Sequence, residues 1–129
     1  MDLNRATLIG HVVHSPKSRT LPSGDTIARF SLATNFVSRD PRTRETRQGV
    51  EYHEIAAFGP MAGVVLRHVG GGMHLYVEGR LHNREYLGRG GVKLRATEIV
   101  LTQLVMLGRR RTEASPASDE PSVVAGEAT

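Results

Sequence analysis

Hydrophobic and polar positions alternate along much of the chain with a period of two, which predicts β-strands. The clearest case is 26–37, where Ala28, Phe30, Leu32 and Thr34 would share one face. Four other stretches alternate or are rich in strand-forming residues: 3–13, 50–58, 73–87 and 92–107. The chain is therefore predicted to be mainly β.

One helix candidate, 60–69, separates the third predicted strand from the fourth. Pro60 suits a first helical position, and the glycines at 70–72 suit its end. Three strands, a short helix and two strands predict an all-β OB-fold, a five-stranded Greek-key barrel. An SH3-like barrel is the alternative, although its helix usually falls elsewhere.

The remaining segments are predicted to be irregular. Pro16, Pro22 and the run Ser-Gly-Asp predict a loop over 14–25, and the arginine-rich 38–49, which has little to bury, predicts a mobile loop. The Ser, Pro, Ala and acid-rich end predicts a disordered, acidic tail over 109–129, beyond a single domain over 1–108.

Charge is unevenly distributed between the domain and the tail. All 17 Lys and Arg lie within residues 1–111 beside nine acids, a net charge of +8, whereas residues 112–129 hold four acids and no base. A domain with this charge favours polyanions such as nucleic acid or anionic lipid. The alternative is a soluble surface that happens to be basic.

Several kinds of chemistry have no support in the sequence. There is no cysteine, which excludes disulfides and thiolate zinc sites and fits a reducing compartment. The six histidines have no carboxylate cluster beside them, and no Ser-His-Asp set or carboxylate pair is identifiable. No membrane span or signal peptide is visible. We therefore expect a non-catalytic protein without metal or cofactor.

Two predicted strands carry aromatic residues beside polar ones. Alternation places Tyr52, Glu54 and Phe58 on one face of 50–58, a poor face for a core. In the strand 73–87, one face carries two arginines, a histidine and a tyrosine: Arg80, His82, Arg84 and Tyr86. Cations that neutralise phosphates and rings that stack on unpaired bases are what single-strand binding requires. The alternatives are a solvated barrel face and aromatic residues packed in the core.

Five motifs in order and register give the chain a family resemblance: LIG (8–10), PSG (22–24), FSLATN (30–35), EYHEIAAFG (51–59) and YVEGRL (76–81). Together they resemble the bacterial-type single-stranded DNA-binding proteins over about residues 1–105. The resemblance implies an OB-fold that assembles as a homotetramer and wraps single-stranded DNA with little sequence preference. It also implies a cytoplasmic, nucleoid-associated protein of replication, recombination and repair.

The resemblance assigns roles to individual residues. Tyr52 and Tyr86 stand where the family usually has tryptophan, Phe58 matches its phenylalanine, and Phe36 is a possible substitute for a third tryptophan, which would fall at Ser38. The expected phosphate or polar contacts of the DNA are Arg19, Arg80, His82, Arg84, Lys93 and Arg95. His53 is expected to be a packed or subunit-interface residue.

The sequence also departs from the family pattern. Pro60 replaces a common lysine, and the tail ends Gly126-Glu127-Ala128-Thr129 without the usual terminal phenylalanine that recruits replication and repair proteins. Because tyrosine offers less ring area than tryptophan, we expect weaker stacking for each base. Two alternatives to DNA binding stay open: an OB-fold paralogue acting mainly as a protein–protein adaptor, and an RNA-binding OB domain.

Overall fold

Pairing between strands closes the chain into a barrel. The computed structural model describes residues 1–109 and 122–123. Five long strands form the wall of the barrel: β1 (Ala6–Val12), β3 (Thr26–Arg39), β4 (Thr46–Phe58), β5 (Met73–Leu87) and β6 (Lys93–Arg109). β1 pairs with β5, β5 with β6, β6 with β4, β4 with β3, and β3 with β1, which closes the ring. All of these pairs are antiparallel except β4–β6, and this order is that of the OB-fold, as predicted.

The single helix, α1 (Pro60–His68), lies between β4 and β5, the third and fourth strands of the ring. Pro60 occupies its first turn, and the chain leaves it at Val69, just before the three glycines. Its buried residues Met61, Ala62 and Val65 join the core cluster. The helix thus adds apolar surface to the interior of the barrel.

The core lies on the inward faces of the strands, and on β3 this is the apolar face that the alternation predicted. Phe30 and Leu32 of β3, Ile55 of β4 and Val77 of β5 are all buried in one cluster. Burial of such side chains is the main favourable term in folding. Gly79 lies at a register shift in β5, as a glycine inside a strand often does.

Two loop predictions are wrong. Residues 14–25 include a short strand, β2 (Lys17–Thr20), which pairs with β3. Residues 38–49 largely form the end of a long hairpin, because β3 continues to Arg39 and β4 begins at Thr46. All four residues of β2, and residues 35–48 except Asp40, are exposed, so neither segment shows the apolar alternation that marks a strand in the sequence.

The hairpin turn is held by Asp40. Its backbone N–H donates to the Glu45 carbonyl at 2.9 Å, and its carbonyl accepts from Arg44 N–H at 2.8 Å. The Asp40 carboxylate also accepts from the Arg42 backbone N–H at 2.8 Å. Local hydrogen bonds therefore order a turn that has no core contact.

The predicted disordered tail, 109–129, lies outside the described residues except at three positions. Arg109 is the last residue of β6, and Ser122–Val123 form a two-residue strand, β7, that pairs with Val105 and Met106 of β6. The prediction of a tail without structure did not include this pairing.

Candidate nucleic-acid interface

The outward sides of β3, β4, β6 and β5 form one continuous surface, which we call the outer face. Two rows of directly paired residues cross it from β3 to β5: Arg29, Ala56, Val100 and Arg80 in the first, and Ser31, Glu54, Glu98 and His82 in the second. Their strand neighbours Phe30, Ile55 and Ile99 point inward and are buried. The outer face is therefore the polar side of the barrel wall.

Three of the four predicted stacking residues lie on the outer face. Tyr52, which pairs with Ala33, is 67% exposed, and Tyr86 is 42% exposed at the far end of β5. Phe58 is half-buried beside Ile27, at the opposite end of the face. The interpretation of Tyr52 and Phe58 as residues outside the core agrees with this placement.

Phe36, the fourth, lies on the other side of the β3–β4 hairpin. It pairs with Gly49, and its ring covers the position where a Cβ of residue 49 would be. Phe36 is 43% exposed, but it continues the side of β3 that carries Phe30 and Leu32. The structure does not bring it together with Tyr52.

The predicted phosphate contacts divide between two sides. Arg80, His82 and Arg84 lie on the outer face, and Arg19 joins them because β2 pairs it with Ile27. Lys93 and Arg95 are exposed but pair with Leu87 and Glu85, on the side of the β5–β6 hairpin that faces away from Arg84 and Tyr86. DNA contact by these two residues stays a prediction.

A buried carboxylate lies at the centre of the outer face. Glu98 is only 2% exposed, and its Oε1 accepts a hydrogen bond from Arg84 Nε at 3.0 Å. Arg29 Nε lies 3.4 Å from the same oxygen, and His82 Nδ1 lies 3.6 Å from Oε2. A carboxylate buried to this degree needs cationic partners, which here come from β3 and β5 on either side.

Arg84 also contacts an aromatic ring. Its Cζ lies 5.4 Å from the centroid of the Tyr86 ring, within the range of a cation–π interaction. The chain of contacts from Glu98 through Arg84 to Tyr86 therefore links the centre of the outer face to one of its exposed aromatic residues.

Sequence reasoning missed three residues of this surface: Lys17, Arg29 and Glu98. Lys17 pairs with Arg29, and all three line one shallow cavity of the outer face. Glu98 did leave a signal in the sequence, because it is the one acid within 92–107 and the nearly continuous apolar run begins directly after it. Because a buried carboxylate needs a cationic partner, a lone acid next to an apolar run points to an ion pair with another strand.

His53 lies on the inward-facing side of β4 and is half-buried. Its Nε2 is 2.8 Å from Thr34 Oγ1, a hydrogen bond across the hairpin. This agrees with the prediction of a packed residue, whereas the role at a subunit interface stays a prediction.

A different surface forms where β1 meets β5. The rings of His11 and His74 stack there, with centroids 4.6 Å apart and planes inclined by 14°. Nearby, Tyr76 Oη donates to Glu78 Oε1 at 2.9 Å, and Arg5 Nε lies 3.4 Å from Glu78 Oε2. The hydrogen bond to Glu78, with desolvation, raises the pKa of Tyr76 above its ordinary value of 10.0.

Residues 1–108 contain no group of three or more His, Cys, Asp or Glu placed to hold a metal ion. Within the described residues no helix is long and apolar enough to cross a membrane.

The outer face combines exposed rings with five basic side chains around two carboxylates: Lys17, Arg19, Arg29, Arg80 and Arg84 around Glu54 and Glu98. Such a surface suits an anionic polymer with unpaired bases.

Comparison with known proteins identifies the family. The model of the single-strand binding protein family matches residues 3–107. Among solved structures, the chain is similar to that of a Plasmodium falciparum SSB in complex with ssDNA, with 32% identity and a TM-score of 0.75. That match covers 83% of this chain and 96% of the other. The family resemblance read from the five motifs is therefore confirmed, and the chain belongs to the single-strand binding protein family.

Proposed function

We propose that the protein binds and protects single-stranded DNA with little sequence preference and without catalysis. The observation that carries the proposal is the position of Tyr52 and Tyr86, two exposed rings on the face that also carries Arg29, Arg80 and Arg84. The similarity to an SSB whose structure contains ssDNA supports the same ligand.

The mechanism follows from these two kinds of side chain. Arginine and lysine neutralise phosphates and release their counterions, so binding weakens as salt rises. An exposed ring stacks on any unpaired base, because every base has a flat π-face, and each such contact contributes about 1–3 kcal/mol. Neither interaction reads the edge of a base, which accounts for tolerance of sequence.

The assembly and the cellular role belong to the same proposal. We expect a homotetramer that serves replication, recombination and repair on the bacterial nucleoid, as the resemblance implies. The surface around β1 and β5 is a candidate contact between copies, because Ile9 is half-exposed there beside the His11–His74 stack. Sedimentation equilibrium measures the assembly, and a monomer at micromolar concentration would contradict it.

Fluorescence anisotropy tests the proposed ligand. Labelled dT oligomers of increasing length are titrated at several salt concentrations, with duplex DNA and matched ribo-oligomers as competitors. We expect binding that tightens with length, prefers single strands and has a log–log salt slope of about −0.7 for each phosphate contacted. Equal affinity for duplex would contradict the proposal, and preference for the ribo-oligomer would indicate an RNA-binding domain.

One observation favours the second candidate, an OB-fold adaptor with weak DNA binding. Glu98 pairs with Arg29 and Arg84, so part of the positive charge of the outer face is already balanced within the protein. If the titration shows weak binding that ignores strandedness, the adaptor becomes the better account. Protein partners would then be sought among replication and repair proteins.

A further inference from the structure

Two arginines from opposite edges of the outer face meet at one carboxylate oxygen. Arg29 comes from β3 and Arg84 from β5, yet the Nε atoms of both lie within 3.4 Å of Glu98 Oε1. Arg29 reaches Glu98 diagonally across β4, because Glu98 lies in the neighbouring paired row. The residue paired with Arg29 on β4 is Ala56, which is small and fully buried.

The arginine pair needs the carboxylate. Two guanidinium groups this close repel each other, and Glu98 between them offsets the repulsion. Glu98 is buried, so a ligand cannot contact its carboxylate directly, whereas the side chains of Arg29 and Arg84 are 29% and 39% exposed. Each guanidinium has five N–H donors, and contact through Nε leaves the terminal nitrogens for another anion.

We propose that Glu98 gathers Arg29 and Arg84 into one phosphate-binding pair at the centre of the outer face. The ligand is a phosphodiester group of the bound strand, held between the two guanidinium groups, and the inference rests on the proposed function. Arg29 and Arg84 contact the phosphate, and Glu98 is a positioning residue that acts through them. Contact with Tyr86 fixes the Arg84 side of the pair next to a stacking ring.

Nearby Glu54 provides a matched control. It is the neighbour of Glu98 in the paired row, but it is exposed and its carboxylate lies 3.4 Å from the Ser31 hydroxyl instead of an arginine. If both glutamates acted only as negative charges, Glu54→Gln and Glu98→Gln would both tighten DNA binding. If Glu98 positions the arginines, Glu98→Gln should weaken DNA binding, whereas Glu54→Gln should tighten it.

The test is anisotropy with a dT oligomer at several salt concentrations on the full chain. We expect Glu98→Gln to weaken binding about tenfold, because a charge-assisted contact is lost, and to reduce the salt slope by about 0.7. Glu54→Gln should tighten binding by up to about fivefold. Arg29→Gln and Arg84→Gln should each weaken binding as Glu98→Gln does. The double variant of the two arginines should lose less affinity than the product of the two single fold-losses.

The outcomes separate this inference from the proposed function. If the wild-type protein binds single strands and Glu98→Gln tightens binding as Glu54→Gln does, only the arginine pair is overturned. Unchanged affinity and slope in Arg29→Gln would overturn it too, whereas no single-strand binding by the wild type would overturn both proposals.

Arg84→Lys keeps the inference testable if Glu98→Gln does not fold. Lysine keeps the charge but lacks the guanidinium fork. The arginine pair predicts that Arg84→Lys weakens binding nearly as much as Arg84→Gln, and wild-type affinity in Arg84→Lys would overturn it.

Discussion

Tyr52 and Phe36 lie on opposite faces of one hairpin. Tyr52 is directly paired with Ala33, and Phe36, three residues further along β3, is paired with Gly49. Paired residues share a face, and side chains alternate along a strand, so a step of three residues from Ala33 to Phe36 changes the face. The two rings therefore lie on different sides of the hairpin. A DNA strand bound along the outer face, as proposed, would contact Tyr52 but would not reach Phe36 on the other side of the sheet.

Replacement of these two aromatic residues should therefore have unequal effects on DNA binding. Tyr52→Ala is expected to weaken binding of a dT oligomer by about 1–3 kcal/mol, the contribution of one stacked base, and Phe36→Ala by clearly less. Tyr52→Phe keeps the ring and serves as the control with near wild-type affinity. Anisotropy titration at one salt concentration measures the affinity of all three variants. A larger loss of affinity in Phe36→Ala than in Tyr52→Ala would place the bound DNA on the other face of the hairpin.

The buried carboxylate predicts non-additive stability. Removing one arginine, in Arg29→Met or Arg84→Met, leaves Glu98 with the other. Each single variant should therefore lower the free energy of unfolding by about 1 kcal/mol or less. The double variant removes both guanidinium partners and should lower the free energy of unfolding by about 3–5 kcal/mol, because a buried carboxylate then has no arginine beside it. His82 Nδ1, 3.6 Å away, is the nearby group that remains. Urea unfolding at one protein concentration measures the cycle. Simple addition of the two losses would show that Glu98 does not depend on the pair.

Replacing two glycines with alanine should change the free energy of unfolding in opposite directions. A Cβ at Gly79 would overlap the backbone carbonyl of Val100 on β6, which cannot move without breaking the ladder. Gly79→Ala should therefore cost about 1–3 kcal/mol or more. Gly63, inside α1, meets only the flexible end of Arg67 at 3.3 Å, so Gly63→Ala should gain about 0.5–1 kcal/mol. Thermal or urea unfolding decides, and equal effects would contradict the close approach at Gly79.

Tyr76 predicts a loss of stability in alkaline solution. Its hydrogen bond to Glu78 raises its pKa in the folded protein, so folding favours the neutral phenol. This contribution is fully present below the unfolded pKa of about 10 and is lost as the pH rises through the higher folded pKa. Above about pH 10 the free energy of unfolding should thus fall more in the wild type than in Tyr76→Phe. Tyr52→Phe, at an exposed position, is the control and should follow the wild type.

The sequence by itself determined the order of the five long strands along the chain, the position of the helix and the side of β4 on which Tyr52 lies. Each of these depends on local periodicity, because alternation assigns a side chain to one face and a proline or glycine run limits a helix. The same reasoning failed for β2 and for the outer half of the β3–β4 hairpin. Both are exposed on both sides, so they formed through backbone pairing without leaving an apolar pattern.

Only the tertiary structure decided which polar residues meet. Arg29, Arg84 and Glu98 come from three strands, and they converge because β4 pairs in parallel with β6 while β6 pairs with β5. The same register placed Lys93 and Arg95 on the side away from Arg84. Side-chain periodicity gives the face of each strand, but contacts between strands depend on register across the closed barrel, which is fixed by the packing of the whole core.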